Sequence, residues 1–267
     1  MIAVERRGRL GNQLFQFAFG IAAAARLGTA FVMQDELLHG IFELGRWAEP
    51  VPRRMRRLRF RLGHRLRPYP VVYQDSFGSP AELMDALRNR RIYNGFFQSE
   101  GFFAGAEADV RAAFAFRPEH ERRFRERYAD LLGAPYVCCH VRRTDYHSWE
   151  GGVVLPALYY LHALERLAPA AGVPVVFVGD DFEDLQEQLA HIPGARFERN
   201  DEALDLLLIA RATAVVTSNS SFGWWGAYLS RSDGKQVVAP RNWLGYKEGR
   251  EFPPGVVPGG WQQVDVS

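Results

Sequence analysis

The residues best suited to binding or catalysis lie in one segment, where a short apolar run ends in charged residues. The segment is His140-Val141-Arg142-Arg143-Thr144-Asp145-Tyr146. The run predicts a buried strand over Tyr136–Val141. Ligands of open α/β sheets bind beyond the carboxyl ends of strands. A guanidinium at such a place is a planar, permanently charged fork that fits phosphate or carboxylate. The segment therefore indicates a site for a diphosphate, although an Arg–Asp pair that braces a loop would use the same residues.

A second candidate is the turn Gly8-Arg9-Leu10-Gly11-Asn12-Gln13, which lies between a short predicted strand at residues 1–4 and a predicted helix at Leu14–Leu27. Glycine lets the backbone turn tightly and approach a ligand, and the start of a helix offers free N–H groups to an anion. The spacing matches neither the dinucleotide-binding nor the P-loop fingerprint. A turn capped by Asn12 would look the same.

Two further polar clusters follow predicted strands. Asp180 and Asp181 come after the strand Val175–Val178, and their carboxylates could contact a guanine edge or a ribose, hold a divalent metal, or cap the next helix. Ser218-Asn219-Ser220-Ser221-Phe222 comes after the strand Ala214–Thr217 and opens a predicted helix, Phe222–Leu229. Its hydroxyls and amide suit a ligand at the helix start, or a simple cap.

The elements around these clusters predict an α/β protein. In the second half, strands alternate with helices, which is typical of βαβ units and a parallel sheet, and right-handed crossovers place all strand carboxyl ends at one edge. The first half is less regular: a second strand is predicted at Thr29–Met33, residues 34–94 read as short helices and loops broken by prolines, and helices are predicted near residues 106–115 and 119–132. We expect lobes at 1–133 and 134–267.

Composition narrows the function classes. The net charge of +2 gives no nucleic-acid signal, and the only cysteines, Cys138 and Cys139, are adjacent on a strand, so that a disulfide framework and a zinc site are not expected. The chain opens without a signal-peptide pattern, which fits the cytoplasm.

Arginine replaces lysine almost everywhere, so that one arginine alone is weak evidence for phosphate binding. The run Arg53–Arg67 holds eight arginines; it predicts a solvated helix face, or contact with an anionic membrane.

Three blocks together resemble the signatures of the family 11 glycosyltransferases, the α-1,2-fucosyltransferases. They occur in the family order and span nearly the whole chain. The Asp180-Asp181 strand and the C-terminal strand at Val237–Trp243 are also similar to the family, whereas Gly179 and Gly223 stand where serine is common. The blocks are Gly8-Arg9-Leu10-Gly11-Asn12-Gln13-Leu14-Phe15-Gln16-Phe17-Ala18, His140-Val141-Arg142-Arg143-Thr144-Asp145-Tyr146 and Ser218-Asn219-Ser220-Ser221-Phe222-Gly223-Trp224-Trp225-Gly226-Ala227.

The resemblance implies a GT-B-like fold with two Rossmann-like lobes and a donor site in the C-terminal parallel sheet. It implies that GDP-β-L-fucose is a substrate, that the sugar is transferred with inversion, and that neither a metal nor a cofactor takes part. On this view Arg142 binds the β-phosphate, Arg143 and Asp145 brace one another, and the Gly11–Asn12 loop closes over the donor. The remaining implied donor contacts are His140, one of Asp180 or Asp181, and Ser218, Asn219, Ser220, Ser221 and Phe222.

The acceptor is expected to be a galactoside in a surface glycan, fucosylated on its 2-hydroxyl. Two adjacent tryptophans, Trp224 and Trp225, cannot share one helix face, so one of them is expected to face the site or its rim, on the acceptor side with Tyr146. The base is assigned first to Glu150 by similarity to α-1,6 relatives, with Asp145 and His147 as alternatives. The rival interpretations are a metal-dependent transferase that uses Asp180 and Asp181, and a non-catalytic nucleotide-binding module.

Overall fold

The chain forms two compact units, one spanning Met1–Arg117 and one that begins at Pro118. The computed structural model describes residues 1–47, 50–230 and 234–266, except the side chains of residues 50–52 and 150. The division lies sixteen residues before the predicted boundary. Helix Pro118–Arg127 accounts for the difference, because Arg123 binds Asp201 at 2.5 Å and so ties this helix to the second unit.

The first unit is built on a parallel sheet in the order β2-β1-β4-β3. Its strands are short, and helices of very different length connect them. The strands are β1 Ile2–Val4, β2 Phe31–Val32, β3 Val71–Tyr73 and β4 Ile92–Asn94. The helices are α1 Leu10–Arg26, α2 Glu36–Ile41, α3 Pro50–Leu66, α4 Pro80–Asp85 and α5 Glu107–Ala113.

Residues 34–94 are more regular than the sequence predicted. Two of the prolines that suggested loops lie at helix starts, where the missing N–H costs nothing: Pro50 begins α3, and Pro80 begins α4 behind the Ser79 cap. Helix α1 also begins four residues earlier than predicted. Gly11 and Asn12 therefore lie in its first turn. No described helix is both long and apolar enough to cross a membrane.

The second unit contains a six-stranded parallel sheet in the order β10-β9-β8-β5-β6-β7. Strand β5 is the first in this unit and lies at the centre; the chain adds β6 and β7 on one side and then crosses to β8, β9 and β10 on the other. The strands are β5 Val137–Val141, β6 Val175–Gly179, β7 Ala195–Glu198, β8 Ala214–Val216, β9 Gln236–Pro240 and β10 Gln262–Val264. The helices are α6 Pro118–Arg127, α7 Ala157–Leu167, α8 Glu183–Leu189, α9 Glu202–Arg211 and α10 Ser221–Tyr228.

This strand order is that of a doubly wound Rossmann sheet, and it confirms the predicted α/β class. Strands β5 and β6 are buried along their whole length because helices cover both faces of the sheet. The strands predicted at Tyr136–Val141, Val175–Val178 and Ala214–Thr217 each differ by one residue at one end from β5, β6 and β8, whereas β10 was not predicted. The order reverses between β5 and β8, which is where sheets of this class bind their ligands.

Candidate functional site

Three loops meet at the carboxyl edge of the second sheet. They follow the neighbouring strands β5, β6 and β8, so that residues far apart in sequence become neighbours. The loop after β5 includes a short 3-10 helix, Asp145–His147. The sequence-predicted residues that lie on these loops, or on β5 and α10 beside them, are His140, Arg142, Arg143, Asp145, Tyr146, Asp180, Asp181, Ser218, Asn219, Ser220, Ser221 and Phe222.

Arg142 is fixed at the centre of this edge by two carboxylates. One terminal nitrogen lies 2.6 Å from Asp145, and the other lies 2.6 Å from Asp180. The guanidinium carbon lies 5.6 Å from the centre of the Tyr146 ring, and the side chain is 12% exposed. Each terminal nitrogen carries two hydrogens, so the group keeps donors for an anion while its position is set in advance.

The predicted brace between Arg143 and Asp145 is wrong. Arg142 pairs with Asp145, whereas Arg143 lies 3.8 Å from Asp181 and 3.9 Å from Asp184. The difference follows from geometry, because consecutive residues at a strand end point to opposite sides, and the turn returns Asp145 to the side of Arg142. Nε of Arg143 is buried and has no hydrogen-bond partner among the described residues.

The two adjacent aspartates have different surroundings. Asp180 accepts hydrogen bonds from the Arg143 N–H at 2.9 Å and from the Thr144 hydroxyl at 2.7 Å, beside the Arg142 charge. Burial raises the pKa of Asp180, but these hydrogen bonds and this charge outweigh it and hold the pKa below its usual range. Asp181 accepts from the Glu183 N–H at 3.1 Å, as a helix cap does.

His140 lies beneath the site and is neutral. Its Nδ1 is 2.8 Å from the Ser218 hydroxyl, and its ring centre is 5.5 Å from that of Phe222. Burial lowers the pKa of His140 to about 3, with the Arg142 charge acting in the same direction and Asp180 opposing it. A neutral imidazole cannot form an ion pair with a phosphate, so this residue contributes shape and hydrogen bonding.

The neutral state of His140 gives a pH prediction. The folded protein should not protonate this ring until the pH approaches about 3, whereas the unfolded chain takes up the proton near its ordinary value of 6.5. The contribution of the neutral His140 to the free energy of unfolding is therefore complete above pH 6.5 and falls as the pH drops from 6.5 towards 3. NMR of the imidazole resonances checks this, with His140→Gln for assignment. A His140 midpoint near 6.5 in the folded protein would contradict the geometry.

The start of α10 is held by contacts within the unit. The Ser220 hydroxyl accepts from the Phe222 N–H at 3.3 Å, and the Asn219 amide nitrogen donates to the Val153 carbonyl at 2.9 Å. The Tyr146 hydroxyl donates to the Asn219 carbonyl at 3.3 Å, which joins the arginine loop to the helix. Ser218, Asn219 and Ser220 are buried, whereas Ser221 and Phe222 are partly exposed at the surface of the site.

Gly179 and Gly223, at the two positions where the family resemblance led us to expect serine, are both closely packed. A Cβ on Gly223 would lie 2.6 Å from Nδ1 of His140. A Cβ on Gly179 would lie 2.2 Å from the Val141 carbonyl oxygen on the neighbouring strand. Neither position leaves room for a Cβ without a shift of its neighbours, so both glycines are part of the local packing of the site.

The expectation that a tryptophan faces the site is wrong. Trp224 and Trp225 are both 0% exposed, and Trp224 donates its indole N–H to the Val256 carbonyl at 2.7 Å. Trp224 also stacks on Tyr228 at 4.8 Å between ring centres. Helix α10 is covered all round, so that two adjacent indoles point in different directions and are both buried in the core. Of the predicted acceptor-side residues, Tyr146 lies at the site, partly exposed.

Two tyrosines of α7 were not predicted as site residues. Tyr159 donates to the Thr217 carbonyl at 2.6 Å and Tyr160 to the His140 carbonyl at 3.3 Å. They hold the ends of β8 and β5, the two strands between which the order reverses. The sequence did contain a signal for them, namely two adjacent tyrosines in a largely apolar helix, because a buried tyrosine hydroxyl needs a hydrogen-bond partner.

Two predicted donor contacts, Gly11 and Asn12, belong to the first unit. Asn12 is in the first unit, where its side-chain oxygen accepts from Gln98 at 2.5 Å, and Gly11 is buried in the first turn of α1. The Glu150 side chain, predicted as the base, lies outside the described residues. His147 and Asp145 are exposed on the loop after β5.

The site consists of an arginine held by two carboxylates and a helix start, both at the reversal point of a Rossmann sheet. Residues 93–248 match glycosyl transferase family 11. The chain belongs to this family, and its class of enzyme is glycosyltransferase.

Two curated relatives are from Escherichia coli. The chain is 24% identical to an alpha-1,2-colitosyltransferase over 291 aligned positions, which cover 99% of each protein. It is 33% identical over 114 residues to the O-antigen biosynthesis glycosyltransferase WbnK, a match that covers 39% of this chain and 38% of that protein.

The similar solved structures confirm the GT-B-like fold. The α-1,6-fucosyltransferase NodZ co-crystallised with GDP has a TM-score of 0.54 at 16% identity, covering 86% of this chain and 92% of that one. A mutant of Arabidopsis thaliana FUT1 in complex with GDP has a TM-score of 0.53 at 13% identity, covering 89% and 70%.

Proposed function

We propose that this protein transfers L-fucose from GDP-β-L-fucose to the 2-hydroxyl of a galactoside in a surface glycan, with inversion and without a metal ion. The observation that carries the proposal is the Arg142 guanidinium, fixed by two carboxylates at the reversal point of the sheet. The donor is argued from similarity: NodZ, with the same fold, was crystallised with GDP and soaked with GDP-fucose. The linkage is argued from the α-1,2 relative.

In the proposed reaction the bond between the fucose anomeric carbon and the β-phosphate oxygen breaks, and its electron pair leaves with GDP. Charge accumulates on that phosphate as the sugar becomes oxocarbenium-like. Arg142 would meet this charge with donors that need no rearrangement, which is the most effective form of electrostatic stabilisation. The partly exposed Ser221 and Phe222 at the start of α10 would contact the diphosphate and the fucose.

The acceptor hydroxyl would attack from the face opposite GDP and give up its proton as the new bond forms. Asp145 is the described carboxylate that best combines exposure with nearness to Arg142, being 52% exposed and 2.6 Å from it. Glu150 and His147 are the other candidates on this loop. Tyr146 is a poor base, because burial raises its pKa to about 12.

Metal-free transfer is argued from the contacts of Asp180. Both of its oxygens already accept hydrogen bonds, and an arginine lies against one of them. A divalent cation at this carboxylate would compete with the Arg142 guanidinium for the same negative charge. Asp181 uses one oxygen as a helix cap. The arginine is therefore the better candidate for the charge that balances the leaving diphosphate.

A donor screen tests the proposal. GDP-fucose, GDP-mannose, GDP-colitose and UDP-sugars are incubated with lactose and related galactosides, and nucleotide release and product mass are measured with and without acceptor. We expect acceptor-dependent release of GDP from GDP-fucose. Preference for GDP-colitose would change the proposed sugar to colitose, the sugar in the name of the 24% identical relative. Binding of GDP without sugar release from any donor would instead support a non-catalytic module.

The same assay tests the absence of a metal requirement. We expect EDTA to leave the transfer rate unchanged, because the balancing charge belongs to a permanently protonated arginine. Addition of Mn²⁺ after EDTA should likewise have no effect. A large loss with EDTA that Mn²⁺ restores would favour a metal-dependent transferase that uses Asp180 and Asp181.

A further inference from the structure

Helix α3 carries an exposed apolar stripe that the proposed reaction does not use. Met55, Leu58, Leu62 and Leu66 are 54% to 87% exposed. Their spacing of three, four and four residues places all of them on one face of the helix. Four large apolar side chains in a row on an exposed face are uncommon and indicate an interaction surface.

The stripe is bordered by arginines. Arg54, Arg61 and Arg65 recur at helical spacing along one side, all exposed, and Arg59 is exposed on the other. None of Arg54, Arg61 and Arg65 pairs with a side chain in the described ranges. Within Pro50–Leu66 the sequence has seven arginines and no acidic residue.

The opposite face of α3 contacts other elements of the first unit. Arg57 lies 2.7 Å from Asp35 and 3.0 Å from Glu36, and Arg56 donates to the Trp47 carbonyl at 3.2 Å. Towards the end of the helix, Phe60 packs on Tyr69 with ring centres 5.3 Å apart. The helix is thus anchored through one side, and the apolar and basic side is left for a partner.

We propose that this exposed face of α3 docks the protein on an anionic lipid bilayer. The helix would lie in the plane of the interface, with Leu58 and Leu62 inserted at the acyl boundary and the flanking arginines against lipid phosphates. Charge complementarity selects this partner, since an apolar stripe between basic rows fits a surface that is apolar inside and negative outside. The proposal does not depend on the donor, because none of its residues is assigned to donor binding.

The test is sedimentation of the full-length protein with vesicles of phosphatidylcholine, with and without phosphatidylglycerol. We expect binding only to the anionic vesicles and a marked decrease at high salt, where surface charges are screened. Changing Arg54, Arg61 and Arg65 to Gln should weaken binding roughly 100-fold, at about one kcal/mol for each basic residue near the surface. The matched control changes three exposed arginines of the second unit: Arg122, Arg125 and Arg250.

A second pair of variants tests the apolar contribution. Leu58→Ser with Leu62→Ser should lower binding at least tenfold, because each inserted leucine loses its burial. The control is Leu132→Ser with Leu158→Ser, which changes residues of similar exposure, 45% and 46%, outside α3. Turnover of a soluble acceptor should be unchanged in all four variants, which separates docking from the transfer reaction.

Two results would overturn the proposal. One is equal binding to neutral and anionic vesicles, or binding to neither. The other is a concentration-dependent dimer in light scattering that Leu58→Ser with Leu62→Ser converts to monomer while vesicle binding stays the same, since the stripe would then cover a second copy of the chain.

Discussion

Replacing Arg142 by alanine is expected to lower kcat for fucose transfer by about 10²–10³-fold, the usual effect of removing one preorganised donor to a developing negative charge. The guanidinium contacts Asp145 and Asp180 at 2.6 Å and has further hydrogens for the leaving phosphate. Arg142→Lys should recover little, because a compact ammonium group lacks the planar fork whose two terminal nitrogens reach Asp145 and Asp180 separately. Steady-state kinetics with GDP-fucose provide the measurement.

Arg196→Ala is the matched control for this prediction. Arg196 belongs to the same unit and pairs with Asp130 at 2.5 Å, but it lies on β7, away from the reversal point. Its removal should leave kcat near that of the unmodified protein. Thermal unfolding of both variants separates lost chemistry from lost structure. Near-normal transfer by a folded Arg142→Ala protein would exclude this arginine as the phosphate contact.

Replacing Asp180 by asparagine is expected to lower kcat by about 10- to 100-fold with little change in the KM for the donor. Asp180 positions Arg142 and also accepts from the Arg143 N–H and Thr144. An amide has one acceptor oxygen fewer, so the arginine loses its fixed orientation while the nucleotide surface stays in place. The division between kcat and KM is informative, since loss of positioning affects the transition state and loss of a donor contact affects binding.

Asp181→Asn is the control, because this neighbouring carboxylate caps α8 and lies 3.8 Å from Arg143. It should have a small effect on either constant. The family resemblance gave one of the two aspartates a contact with guanosine. If Asp180→Asn instead raises the KM for GDP-fucose and leaves kcat unchanged, that residue binds the nucleoside and does not position Arg142.

The sequence predicted the architecture of the second unit well. Strands such as Val175–Gly179 are continuous apolar runs, and Gly or Pro near their ends marks where they stop. Both the type of element and the length of the strand could therefore be predicted. The alternation with helices then placed all polar clusters at one edge. The Arg, Asp and Ser loops did meet there, at the reversal of strand order.

The pairing of charges within that edge could not be predicted in the same way. Which carboxylate binds Arg142 depends on a turn geometry that places Asp145 on one side of the loop, and the sequence offered Arg143 equally. The same holds for Asp180 and Asp181, where one residue holds an arginine and the other caps a helix. Adjacent residues of the same type carry no periodic signal that separates them.

The first unit was harder to predict for a different reason. Strands β3 and β4 have only three residues each, too short for a periodic pattern, and proline marks both helix starts and loops. The sequence did predict a solvated helix face for the run Arg53–Arg67, and α3 spans Pro50–Leu66.

The most direct test of the central claim is the structure of the product made from GDP-fucose and lactose. NMR of that product reports the anomeric configuration of the transferred sugar and the carbon to which it is attached. We predict an α-L-fucoside on the galactose 2-hydroxyl, formed with EDTA present and reduced about 10²–10³-fold by Arg142→Ala. A β-fucoside, attachment at another hydroxyl, or transfer only of a different sugar would contradict the account.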